Sequence, residues 1–221
     1  MQQDATHISD RKQVVELARK LDGIGLNRGT SGNCSVRTKR GFLITPSGMG
    51  VADLSPARIV EMNLKGETLS DGQPSSEWRF HKDIYAEKNN VDVVVHVHSC
   101  HATALSCFRK DIPAFHYMIA VAGGNSIKCA PYALFGSQSL SDNALVALEK
   151  RKACLLSNHG MIATGQSIDG TLALAIEVES LCEQYLMALQ AGSPILLTTS
   201  EMREVMQQFK GYGNWRSDED Y

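Results

Sequence analysis

Apolar and polar positions follow two different periods along the chain, and the switches between them lay out its elements. From Ser9 to about Leu26 apolar residues recur at helical spacing, with Val14, Val15, Leu17, Ala18 and Leu21 on one stripe, which predicts an amphipathic helix. The glycine-rich passage GIGLNRGTSGNCSV follows, and short strands are expected at Cys34–Arg37 and Phe42–Thr45, broken by PSG. A third strand is expected at Ile59–Asn63, closed by a turn at Lys65–Gly66. A helix is predicted to start near Ser75 or Ser76, with a serine N-cap ahead of Glu77 and the amphipathic run Trp78, His81, Ile84, Tyr85.

The β-branched stretch VDVVVHVH reads as a buried strand, and a short helix through HATALSCF follows it. Further on come a helix around Leu140–Lys150, a buried strand at Ala153–Leu156, a long helix from Ile168 to about Leu189 and a last helix at Glu201–Phe209. On the long helix, Glu177, Glu179 and Glu183 are expected to form a solvated acidic stripe. The mixture predicts an α/β fold with strands in the middle and helices outside. No repeat, low-complexity tract or linker divides the 221 residues, so a single domain over 1–221 is expected, with a mobile polar tail from about 210.

Composition narrows the function classes. With 43% hydrophobic and 21% charged residues the chain is an ordinary compact protein, not a disordered, collagen-like or coiled-coil one. A formal net charge of -2 advertises no nucleic-acid or anionic-membrane partner. No window approaches the ~18 apolar residues of a membrane span, and MQQDATHISDRKQ has no secretory apolar segment, so a cytoplasmic location is expected. Six cysteines without a CxxC pair read as free thiols of a reducing compartment.

The strongest chemical signal is His96-Val97-His98. On a strand, side chains alternate faces, so the two imidazoles project together while Val95 and Val97 face the other way. Taken alone, this pair is either a shared metal site or two hydrogen-bonded core histidines. His159, in the turn of Ser157-Asn158-His159-Gly160 beyond a buried strand, is a third candidate. Three histidines without a fixed fourth ligand are the open arrangement of a catalytic zinc. Glu77 is the candidate fourth ligand or base; its plainer role is a first-turn carboxylate complementing the helix dipole. His81, one turn on, either orients Glu77 or fills space, and His101 packs beside the site rather than ligating. Gly29-Thr30-Ser31-Gly32-Asn33, Pro46-Ser47-Gly48 and Ser75-Ser76 are loops rich in backbone and hydroxyl donors, able to cradle a phosphate without positive charge. There is no Walker or GxGxxG fingerprint and no HExxH helix, so neither a nucleotide site nor a zinc peptidase is indicated.

NRGTSGNCSVR, LITPSG, PSSEWRFH, VVVHVHSCHATA, IPAFHYMIAVAGGNSIKCAPYALFG and LLSNHGMIA, in that order, resemble the class II aldolase/adducin family over nearly the whole chain. The resemblance implies a three-layer domain with a central, mostly antiparallel sheet flanked by helices. It implies Zn2+ held by His96, His98 and His159, with Glu77 as a ligand that becomes the acid/base. It places the phosphate of a sugar phosphate on Thr30, Gly32, Asn33, Ser47, Gly48, Ser75 and Ser76. Tyr117 matches a tyrosine that acts on the aldehyde oxygen from a neighbouring subunit, and Tyr212 one that closes the site. A homotetramer with sites at subunit interfaces follows from the same resemblance. The implied reaction is reversible cleavage of L-fuculose 1-phosphate to dihydroxyacetone phosphate and L-lactaldehyde through an enediolate. Siblings act on 5-deoxyribulose 1-phosphate or its 5-methylthio analogue, or epimerise L-ribulose 5-phosphate. A non-catalytic adducin-like module would have an eroded metal site, and all four candidate ligands are present here.

Overall fold

A computed structural model describes residues 2–209, with side chains from residue 8 onward. Seven strands form one sheet: β1 (Asn33–Thr38), β2 (Gly41–Ile44), β3 (Val60–Met62), β4 (Val93–Val97), β5 (Lys128–Ala130), β6 (Ala153–Leu156) and β7 (Gly160–Gly165). Their order is β3-β2-β1-β4-β7-β6-β5. Only β5 and β6 run parallel; the other neighbours are antiparallel. The histidine-bearing β4 is therefore the middle strand, paired on both edges and buried at every position.

Six helices cover the two faces: α1 (Gln2–Gly23), α2 (Trp78–Glu87), α3 (Cys100–Ser106), α4 (Gln138–Ala147), α5 (Ile168–Ala191) and α6 (Thr199–Phe209). The strand period sorts the core into two layers. Val93, Val95 and Val97 of β4 join Val14, Leu17 and Leu21 of α1 and Val178 and Leu181 of α5 in one cluster. Val94 joins Phe80 and Ile84 of α2 and Leu140 and Ala144 of α4 in the other. His96 has the parity of Val94, so it is delivered to the α2 side, where the Phe80 ring stands edge-on at 5.4 Å.

The expected elements are present, with two strands added. β5 and β7 were not anticipated; β7 places its ladder directly against β4 and so joins the sheet's two halves. The expected serine cap of α2 is also corrected. The N-cap is Glu77, and Ser75, two residues before it, accepts the Glu77 backbone N–H at 3.3 Å. All six cysteines are free thiols, and among the described residues no helix is long and apolar enough to cross a membrane.

Candidate metal centre and substrate pocket

Three strand ends and one helix start meet at a point. His96 lies on β4 and His98 just past its end, His159 sits in the two-strand turn between β6 and β7, and Glu77 stands where the chain enters α2. The three imidazole rings are mutually 4.8 Å apart between centroids and nearly perpendicular. His96 Nε2 lies 2.9 Å from His98 Nε2 and 3.1 Å from Glu77 Oε2, and His159 Nε2 lies 3.3 Å from Glu77 Oε1. A second contact fixes the tautomer of His96: Nδ1 is 2.9 Å from the Met161 carbonyl, an acceptor only, so Nδ1 carries the proton and Nε2 keeps its lone pair.

The donor set fits a divalent ion. Four ligand atoms lie within 4.8 Å of one another, and the three measured separations, 2.9–3.3 Å, fall just short of the ~3.4 Å edge of a tetrahedron with zinc-like bond lengths. Glu77 Oε1 is buried without a hydrogen-bond partner, a position that is costly for a carboxylate oxygen unless a cation faces it. Protonation points the same way. Burial above all, then the neighbouring histidines, pushes His98 and His159 down to about 4, against the pull of Glu77. Burial likewise holds His81 down near 3. For Glu77 burial opposes the charge, but His96, His159 and Asn33 outweigh it and lower the carboxyl to about 2. Neutral imidazoles and an ionised carboxylate are the protonation states that ligate metals.

A pocket of about 330 Å³ opens over this centre, lined by Glu77, His98 and His159 and by Thr30, Gly32, Asn33, Ser47, Gly48, Ser75 and Ser76. The seven residues expected to hold a phosphate thus converge from three separate loops, and neither lysine nor arginine is among the described lining residues. Gly32 has a positive φ of 73°, and a β-carbon there would run into the Asn27 side chain. Asn27 in turn accepts the backbone N–H of His98 at 3.3 Å, which braces the loop against the metal-side strand. Tyr117 is not brought to this pocket. It lies half exposed in a 3-10 turn (Tyr117–Ala122), its ring stacked 6.4 Å from Phe209. Tyr212 lies outside the described residues.

Sequence reasoning missed part of the wall. Tyr132, Ala133 and Phe135 also line the pocket, and Asn158 lines it beside His159. Both aromatic rings are more than half exposed, a signal available only once the loop is seen to leave the core. Asn158 is fastened by Arg109, whose Nε donates to its Oδ1 at 2.7 Å while the guanidinium sits 5.4 Å from the Tyr132 ring. The expected acidic stripe on α5 is corrected at Glu179. This carboxylate is mostly buried and accepts from Ser99 Oγ, the backbone N–H of His101 and Ala102, and His101 Nδ1, all at 2.6–2.9 Å. It satisfies the start of α3, the segment that leaves β4 just past His98. His101 accordingly binds Glu179 and not the metal cluster.

The family model for the class II aldolase and adducin N-terminal domain matches residues 12–186. The chain is 50% identical to a 5-methylthioribulose-1-phosphate/5-deoxyribulose-1-phosphate aldolase of Rhodospirillum rubrum, over 95% of each chain. It is 44% identical to the L-fuculose phosphate aldolase of Escherichia coli, over 91% of this chain and 94% of that one. Among solved structures, an L-fuculose 1-phosphate aldolase superposes with a TM-score of 0.88 at 36% identity, covering 91% of this chain and 96% of that one. The match spans the sheet, the four-residue cluster and every pocket loop, and the protein belongs to the class II aldolase family and is an aldolase of that family.

Proposed function

We propose that this protein is a zinc-dependent ketose-1-phosphate aldolase that splits its substrate between carbons 3 and 4 into dihydroxyacetone phosphate and a short aldehyde. The observation that carries the reading is the meeting of a three-histidine, one-carboxylate cluster with seven uncharged backbone and hydroxyl donors in one pocket. His96, His98 and His159 would hold the ion, with Glu77 as an exchangeable fourth ligand. When bound, the ion withdraws density from the substrate ketone and stabilises negative charge beside it. Thr30, Gly32, Asn33, Ser47, Gly48, Ser75 and Ser76 seat the phosphate and so fix which carbon faces Glu77. In the condensing direction Glu77 removes a proton from the hydroxymethyl carbon of dihydroxyacetone phosphate; in cleavage it returns that proton to the same carbon.

Tyr117 is assigned to the aldehyde oxygen of a neighbouring subunit's site, because it is half exposed and stands outside the pocket of its own chain. This reading needs an oligomer, for which the homotetramer is proposed, in the cytoplasm and with residues 1–221 as one domain. Closure by Tyr212 belongs to the same proposal. We assign the aldehyde end of the substrate to the apolar lining that Tyr132, Ala133 and Phe135 give the pocket. It suits a carbon chain ending in methyl or methylthio, and the 50% identity to the Rhodospirillum enzyme favours 5-deoxyribulose 1-phosphate or its 5-methylthio analogue as substrate. Cleavage of L-fuculose 1-phosphate, within fucose degradation, is the second reading, supported by the 44% identity to the Escherichia enzyme.

A coupled assay for dihydroxyacetone phosphate, run on the three ketose phosphates in parallel, tests both. A kcat/KM at least ~10-fold higher for the 5-deoxy pair, equivalent to about 1.4 kcal/mol of transition-state discrimination, supports the first reading. The reverse ratio establishes the second, and no cleavage of any of the three removes the aldolase assignment of substrate altogether.

A further inference from the structure

Behind Glu77 runs a buried chain of polar side chains of which the reaction as described uses only the first, Asn33. Asn33 Nδ2 is 3.1 Å from Glu77 Oε2; Asn33 Oδ1 is 2.5 Å from His81 Nε2; His81 Nδ1 is 2.6 Å from Ser35 Oγ; and Ser35 Oγ is 2.8 Å from the Tyr85 hydroxyl. His81, Ser35 and Tyr85 are wholly buried and Asn33 nearly so. Because the Glu77 carboxylate only accepts, every donor along the chain is determined. Asn33 must turn its amide N–H toward Glu77 and its carbonyl away. His81 must then donate from Nε2, leaving Nδ1 to accept from Ser35, whose own oxygen accepts from Tyr85. A flipped Asn33 would place two acceptors 3.1 Å apart in a buried site.

We propose that His81 is a positioning residue: by donating from Nε2 it locks the Asn33 amide, which clamps Glu77 Oε2 and leaves Oε1 as the oxygen that meets substrate. Oε1 is the Glu77 oxygen without a hydrogen-bond partner. The assignment rests on the acid/base reading of Glu77. The pocket contains Asn33 but not His81, so His81 acts through its neighbour and never touches substrate.

Long-range proton–nitrogen NMR on histidine-labelled, zinc-loaded protein reads the His81 tautomer directly. A proton on Nε2 with a bare Nδ1 is expected; a proton on Nδ1 overturns the proposal, because Asn33 would then face Glu77 with its carbonyl. In kinetics, His81→Phe is expected to lower kcat about 10–100-fold, the usual loss when a partner behind a site residue is removed, with KM and zinc content unchanged. His81→Gln, which keeps a donor near the Nε2 position, is expected to recover most of that loss. Equal losses in both variants, or a raised KM at unchanged kcat, would show His81 to be a packing residue that merely holds the phosphate loop. Failure of wild-type protein to release dihydroxyacetone phosphate would sink the aldolase reading instead, and the tautomer measurement would still stand on its own.

Discussion

Gly160→Ala is the substitution whose effect the geometry defines most narrowly. Gly160 opens β7 immediately after His159, and its pro-chiral position faces the end of β4. A β-carbon built there stands 3.0 Å from Cδ2 of the His98 ring and closer still to the Val97 carbonyl oxygen. Carbon pairs settle at about 3.5 Å or more, so the His98 ring must retreat by about half an ångström. The Val97 carbonyl is main chain in the middle strand and cannot swing aside as a flexible side chain would. Metal ligands tolerate errors of about 0.2 Å, so the displacement is larger than the site can absorb. Overpacking of this kind costs about 1–3 kcal/mol of stability, and zinc affinity is expected to fall by at least ~10-fold, since two of the three histidines flank the new methyl. Zinc competition against a calibrated chelator, with thermal melts of the metal-free protein, separates the two effects. Unchanged zinc affinity in a folded Gly160→Ala protein would refute the claim that β4 and the β6–β7 turn are held in register by that close approach.

Further outcomes follow from the same geometry. Glu77→Gln keeps three imidazole ligands and loses the base, so zinc content should persist while turnover falls about 10²–10⁴-fold; full activity would take Glu77 out of the mechanism. His96→Ala removes a ligand buried at the centre and should lose zinc and activity together, which metal analysis of the purified protein checks. In metal-free protein, His81 is held near 3 by burial against 6.5 when exposed, so the unfolded chain takes up a proton first as pH falls. Stability present above pH 6.5 is therefore lost on acidification, by about 2 kcal/mol between pH 7 and 5 from His81 alone, with His98 and His159 adding in the same direction and Glu77 titrating only below that window. Denaturant titrations at the two pH values measure it, and a flat result contradicts the buried neutral imidazole. Glu179→Ala strands two backbone N–H groups at the start of α3 and should cost about 1–3 kcal/mol; Glu179→Gln, which keeps an acceptor, should cost less in the same melts.

What the sequence makes legible is whatever depends on local period. His96 and His98 project together because a strand repeats every two residues, and Val95 and Val97 need no tertiary information to be assigned to the opposite side. The helix stripes of α1 and α5 are local in the same sense. β7 was invisible for the opposite reason: GMIATG has glycine at both ends and little β-branching, and it is a strand because β4 and β6 flank it. β5, three residues beginning with a lysine, owes its existence to pairing with β6. Glu179 read as solvated because its periodicity on α5 says nothing of a second helix starting above it. The candidate ligands and phosphate loops were legible through residue type and motif, but their convergence on one pocket, and the aromatic wall of Tyr132 and Phe135, come from loops far apart in the chain. The polar chain from Glu77 to Tyr85 was half visible, since His81 falls one turn after Glu77. That it reaches Glu77 only through Asn33 of β1 is a fact of the tertiary fold.

The central claim is that His96, His98, His159 and Glu77 hold a divalent ion on which carbon–carbon cleavage depends. Its most direct test is dihydroxyacetone phosphate release by one protein sample as purified, after chelation and dialysis, and after return of Zn2+. Cleavage that disappears with the metal and returns with one equivalent of zinc per chain is the predicted result. Cleavage that survives in protein shown to be metal-free would contradict the account, and would mean that the four clustered side chains serve the fold and not the chemistry.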